Sequence, residues 1–204
     1  MLAVHVTPPR IHAPKAIASG AQMLRDFLDG KVFTVGQTIQ CSWMWFKVGT
    51  DEHGKSVVLA PALGVMPMAF VPDCSDALNL VLTQRYVCDS FGVECSWCNA
   101  AQSAIVVKDI AACGEVFMNR TEDQHGNVSG WFFGASDSKL DVNDVENLEL
   151  KSLWQLSCEH PESRDFFLLP AGWQVVFEDR PVVLRDASLA TARPDSYYAA
   201  KYKS

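Results

Sequence analysis

Hydrophobic and polar positions along the chain alternate between helical and strand-like spacing. In SGAQMLRDFLDG, Met23, Leu24, Phe27 and Leu28 recur on one helical face, with Ser19 as the expected N-cap and Gly30 as the stop. GQTIQCSWMWFKVG and KSVVLAPALG are rich in strand formers and flank TDEHG, which has the composition of a hairpin loop. In PDCSDALNLVLTQRYVCDSFG, Ala77, Leu78, Val81 and Leu82 again mark a helix. Pro72 and Asp73 stand at its start and Gly92 closes it. SAIVVKDI then reads as a strand.

The second half repeats this order. GEVFMNR and SGWFFGA flank TEDQHGN, a second expected hairpin. In the second of these strands Trp131 and Phe133 alternate, which assigns them to the core face and turns Phe132 away. The same alternation predicts that Trp43 and Trp45 share one face. A polar, acidic connection leads into DVENLELKSLWQLSCEHP, where Val145, Leu148, Leu153 and Leu156 predict a helix ending before Pro161. DFFLLP and WQVVFED predict two strands joined at Pro170-Ala171-Gly172. An offset of 72 maps Asp51, His53 and Gly54 onto Asp123, His125 and Gly126, and Leu78 onto Leu150, as an internal duplication would. The expected fold class is therefore α+β, with mainly antiparallel sheets and a few packed helices, and the offset adds the option of two related α+β units. The expected division is an N-terminal unit over 1–98, a second α+β domain over 99–188, and a tail over 189–204.

Composition narrows the function classes. The 204 residues are 49% hydrophobic, enough to bury a core and too apolar for a disordered chain. A net charge of −7 and the lack of a basic run argue against direct nucleic-acid binding and favour a basic protein partner. The start, MLAVHVTPPRIHAPK, lacks an unbroken apolar segment of the secretory kind. The apolar stretch from Val57 to Val71 is broken by Pro61, Gly64 and Pro67 and is shorter than the roughly 20 residues that span a bilayer. A cytoplasmic protein without membrane association is expected. Seven cysteines, an odd number scattered through apolar segments, fit reduced thiols better than a disulfide framework.

Candidate chemistry is sparse. Cys95-Ser96-Trp97-Cys98 has thioredoxin-like spacing, yet it follows a helix end and has little room for the helix that would activate the first thiol. No second such pair completes a zinc site, and the histidines lack ligand spacing. No catalytic, cofactor-binding or metal-ligating residue is assigned. Acids are concentrated instead: Asp137, Asp141, Asp144, Glu146 and Glu149 fall within thirteen residues, opposed only by Lys139. Such a run is a solvated face or a partner-binding surface. With Glu122 and Asp123 in the second hairpin, these residues form the candidate binding set. The other readings left open are a thiol-redox or hydrolytic enzyme using Cys95 and Cys98, and a general adaptor module.

From about Ala104 to Asp186, an ordered series carries a family resemblance. It begins with IVVKDIAACGEVFMNR, passes through SGWFF and VENLELKSLWQL, and closes on FFLLPAGWQVVFED. This series resembles the bacterial immunity-protein domain class numbered thirty-three, earlier listed as a domain of unknown function. The chain departs from the family pattern after Trp131, with Phe132 and GASDS where a basic residue and a Gly-Asp-Glu run are expected. The resemblance implies a non-enzymatic protector that forms a tight one-to-one complex with a cognate toxin. Such toxins are often nucleases exchanged between competing bacteria, for example by type VI secretion. No catalytic residue transfers with the resemblance.

Overall fold

The computed structural model describes residues 2–7, 14–122 and 126–202. They form two compact units, Met1–Thr83 and Gln84–Ser204, with the division inside a helix. Both are α+β, with two sheets in which all strand pairs but one are antiparallel. Among the described residues no helix is long and apolar enough to cross a membrane.

The first unit begins with α1 (Pro14–Leu28) and a four-stranded sheet, β1 (Thr38–Cys41), β2 (Met44–Thr50), β3 (Ser56–Pro61) and β4 (Phe70–Val71), in that spatial order. Ser19 lies inside α1 rather than at its N-cap. The helix starts upstream at Pro14, whose fixed φ suits a first turn. The TDEHG hairpin forms as expected. Asp51 Oδ1 accepts from the amides of His53 and Lys55 at 2.9 and 2.8 Å, and Gly54 takes φ +73°. Trp43 and Trp45 do not share a face. Ser42 (φ +58°) places Trp43 in a tight turn where strand alternation does not apply, so Met44, Phe46 and Val48 are the buried set and Trp45 faces the other way.

Helix α2 (Ser75–Ser90) crosses from one unit to the other. Asp73 Oδ1 accepts from the Ser75 amide at 2.9 Å at its start, and Gly92 (φ +67°) follows its end. The second unit adds β5 (Ser103–Val107), β6 (Val116–Arg120), β7 (Val128–Ala135), β8 (Leu148–Ser152), β9 (Trp173–Phe177), β10 (Pro181–Arg185) and β11 (Ser188–Leu189). They build a seven-stranded sheet of order β11-β10-β9-β6-β7-β5-β8, in which only β5 and β7 run parallel. Helices α3 (Leu153–Glu159) and α4 (Tyr197–Lys201) complete it.

Three expectations for this unit are corrected. The segment read as one helix from Val145 divides into a 3-10 turn (Val145–Asn147), strand β8 and helix α3. The boundary is chemical: Ser152 accepts from the Gln155 amide while the Gln155 side chain returns to the Ser152 amide, a reciprocal cap that starts α3 there. The offset of 72 therefore sets Leu78, in α2, against Leu150, in strand β8, and does not relate equivalent positions. DFFLLP is not a strand. Residues Pro161–Phe166 form a 3-10 helix, and Phe167, Leu168 and Leu169 continue as a fully buried bend.

That bend is held by side chains in place of a ladder. Arg120, 2% exposed, donates from Nη1 to the carbonyls of Leu169, Ser96 and Phe167 at 2.7, 2.8 and 3.1 Å, and from Nε to that of Ser129 at 3.2 Å. Trp131 Nε1 and Cys98 Sγ also donate to the Phe167 carbonyl, each at 3.1 Å. Buried backbone acceptors need partners wherever regular structure stops, and one guanidinium supplies donors to three separate stretches of chain. Aromatic contacts from Phe167 to Trp131 and Phe133, and from Phe166 to Phe177, Tyr198 and Tyr202, close this side of the sheet.

Candidate partner-binding surface

Strand register in the second unit defines two faces of very different character. One inner row reads Val183, Val175, Met118, Phe133, Val106 and, at the edge, Glu149; its five apolar members are at most 1% exposed. The outer row directly beside it reads Leu184, Gln174, Asn119, Phe132, Ile105 and Leu150. Next to that lie Val182, Val176, Phe117 and Gly134. These outer side chains remain half-buried or exposed, Leu150 at 69% and Ile105 at 39%. Phe132 points away from Trp131 and Phe133, as the alternation predicted.

Gly134 shapes this outer face. A methyl group there would lie 2.7 Å from both Phe117 Cζ and Phe132 Cε1, so the glycine leaves the floor on which the two rings meet. Gly130, φ +78°, accommodates the irregularity in β7 as it passes β5. The SGWFFGA stretch thus supplies two buried aromatics inside, one displayed aromatic outside, and two glycines that permit the arrangement.

The acidic run borders this face at the end where β7 leaves the sheet and β8 enters it. Asp137 accepts from the amides of Gly114 and Glu115 at 2.9 and 3.2 Å, and those amides hold its carboxyl below the usual range. Asp141 accepts from the Asn143 amide and side chain, each at 2.9 Å, which lowers its pKa in the same way. Asp144 caps the 3-10 turn by accepting from the Glu146 amide at 3.0 Å. Glu146 is exposed; its carbonyl accepts from Lys108 Nζ at 2.5 Å. Glu149 ends the inner row and pairs with Lys151 at 3.3 Å. Glu122 lies beyond Arg120, at the other end of β6 from Gly114 and Glu115, and the five residues of that strand alone span about 17 Å at about 3.4 Å per residue. The structure therefore does not gather it with the rest. Asp123 lies outside the described residues. Between the acids, Val142 and Val145 are exposed, at 43% and 73%.

The Cys95-x-x-Cys98 pairing does not form a site. Cys98 is buried against the Phe167 carbonyl, and burial pushes its thiol up to about 11. Cys95 stays half-buried, and the Cys88 thiol donates to the Leu168 carbonyl at 3.3 Å. Elsewhere His160 Nδ1 lies 3.5 Å from Glu162, and Lys151 Nζ lies 2.8 Å from Glu159. Among the described residues no group of three His, Cys, Asp or Glu is arranged to hold a metal.

Sequence reasoning missed the outer apolar row. Its members are separated by tens of residues and become neighbours only through strand order, although Phe132, opposite two core aromatics, was its one visible signal. It also missed Arg120, whose role depends on carbonyls far along the chain. No curated protein and no solved structure matches the chain. The family model described as the Imm33-like domain matches residues 83–186, just over half of the chain and the whole of β5 to β10. The chain belongs to the Imm33-like family.

Proposed function

We propose that this protein is a non-enzymatic immunity protein that neutralises one cognate toxin by a tight one-to-one complex made through the outer face of the seven-stranded sheet. The observation that carries the reading is the outer row itself: Phe132, Ile105 and Leu150 side by side on adjacent strands, left in contact with water. A row of apolar side chains facing solvent is costly unless it has a use, and an apolar centre beside a polar rim is the usual anatomy of a specific interface.

The rim is acidic. Asp141, Asp144 and Glu146 are exposed beside the apolar Val142 and Val145. With the chain's net charge of −7, this favours a basic partner surface. A nuclease holds phosphate with positive charge, so a nuclease toxin whose cleft is covered by this edge is the reading chosen. Asp137 and Glu149 belong to the same edge but are occupied within the fold. Glu122 and Asp123 are proposed as a second, separate contact.

The test is co-expression with the protein encoded by the adjacent gene. A single stable complex, and growth restored to cells that make the neighbouring toxin, are expected. If the two proteins do not associate and growth is not restored, the proposal is wrong. A complex with many unrelated cellular proteins would favour an adaptor.

A further inference from the structure

Strand β8 ends the seven-stranded sheet on one side, and among the described residues no strand lies beyond it. Bonds at its two ends fix which of its backbone groups face outward. The Lys108 amide donates to the Asn147 carbonyl at 3.0 Å, and the Leu153 amide donates to the Gln102 carbonyl at 2.8 Å. Antiparallel alternation then turns the backbone of Glu149 and Lys151 toward β5, and that of Leu148, Leu150 and Ser152 away from it. Two of these three outward amides are already used. Leu148 donates to the Val145 carbonyl, and Ser152 donates to Gln155 Oε1 at 3.0 Å. Leu150 is left presenting both a donor and an acceptor to the edge, beside a side chain that is 69% exposed.

We propose that β8 is a self-association edge, along which two copies of this chain pair antiparallel about a twofold axis at Leu150. The strand itself sets the register. Its open donor and acceptor must meet, so Leu150 of each copy donates to and accepts from Leu150 of the other. Glu149 then lies opposite Lys151 of the second copy, and Lys151 opposite Glu149 of that copy. These are the close positions of an antiparallel pair, with Cα atoms about 4.5 Å apart, within reach of an ion pair. Charges on an edge strand block self-pairing where like meets like. Here they match. Moving the axis by one residue would set Glu149 against Glu149, or Lys151 against Lys151.

Within one copy Lys151 already pairs with Glu149 at 3.3 Å and with Glu159 at 2.8 Å. Glu159 holds the ammonium in place while Glu149 is shared across the axis. On the outer face the two Leu150 side chains meet, so the row of Phe132, Ile105 and Leu150 runs on into its twofold mate. Phe132 and Ile105 of both copies stay in contact with water. The pairing therefore stands apart from the toxin reading and is tested without a toxin. An edge of five residues buries far less area than a permanent dimer does, which gives a transient pair with a dissociation constant of about 100 µM.

The test is sedimentation of the full-length protein from about 10 µM to about 1 mM at low salt, beside hydrogen exchange at the Leu150 amide. A monomer–dimer equilibrium that salt weakens is expected, with exchange at Leu150 several-fold slower at the highest concentration. Glu149→Lys sets cation opposite cation while Glu159 still holds Lys151, and should weaken pairing about tenfold or more. Leu150→Pro removes the outward donor at a position where an edge strand tolerates proline, and should abolish pairing. Its thermal midpoint controls for the fold. A monomer at every concentration overturns the proposal, as does a dimer that both variants leave unchanged. Slowed exchange at Leu150 only when the adjacent-gene toxin is added, in a chain that stays monomeric, also overturns it and assigns the edge to the toxin.

Discussion

The rings of Phe117 and Phe132 meet over Gly134 with their centroids 6.1 Å apart. The position of this pair depends on a side chain that is missing. In Gly134→Ala the new methyl must displace the far ends of two rings that border solvent. They can swing outward, so stability should change by less than about 1 kcal/mol. Toxin affinity should fall all the same, because the displayed shape has changed. Denaturant melts beside calorimetric titration with the adjacent-gene toxin separate the two effects; a large stability loss with unchanged affinity contradicts this account.

Leu150→Asp is a sharper probe of the same face. Leu150 is 69% exposed on edge strand β8, opposite Ile105, so a carboxylate there costs the fold little. Placed in the centre of an interface it leaves a charge without water. A loss of affinity of about 30-fold or more is expected, the size of an interface hot spot of about 2 kcal/mol. The binding constant of this variant, measured with its thermal midpoint as a control, decides the matter.

Electrostatic steering makes a different prediction at Glu146. Because its charged group is exposed and the turn is capped by Asp144, Glu146→Lys should leave the fold intact. The association rate at low salt should fall about three- to tenfold, with dissociation nearly unchanged. Stopped-flow measurements across a salt series test this. Equal rates at low and high salt would restrict recognition to the apolar row.

Arg120→Met removes the donors to the buried bend while keeping much of the side-chain volume. The Phe167 carbonyl keeps Trp131 and Cys98 as donors, whereas the Ser96 and Leu169 carbonyls lose the bonds from Arg120. At about 1–3 kcal/mol for each unsatisfied buried group, a loss of about 3–5 kcal/mol is expected in urea unfolding. Arg120→Lys should lose less, since an ammonium still reaches some of the same oxygens.

The parts of the fold that were legible in the sequence are those fixed by neighbours. The β6–β7 hairpin follows from strand formers around a polar loop with Gly126, and α2 follows from helical spacing with Asp73 and Gly92 at its ends. The join of β8 to α3 was missed because the spacing of Leu148, Leu153 and Leu156 fits a helix. The local signal was nevertheless present, as Ser152 and Gln155 stand at capping-box spacing. Phe166 to Leu169 could not be read locally, because a short apolar run is ambiguous without knowing what meets its carbonyls. The acids were visible individually; which of them are tied into turns, as Asp137 is to Gly114, depends on partners more than twenty residues away.

The Arg120 guanidinium has a consequence for how the second unit opens. It bonds to the stretches around Ser96, Ser129 and Phe167–Leu169, so none of these can lift away alone without leaving a buried cation short of acceptors. Breathing motions there are coupled into one event. The amides of Ser96 and Gly172, which donate to Leu168 and to Arg120 itself, should exchange with deuterium only when the whole unit unfolds. Behind its solvent-facing row, the sheet is a stiff plate whose shape is set before any partner arrives.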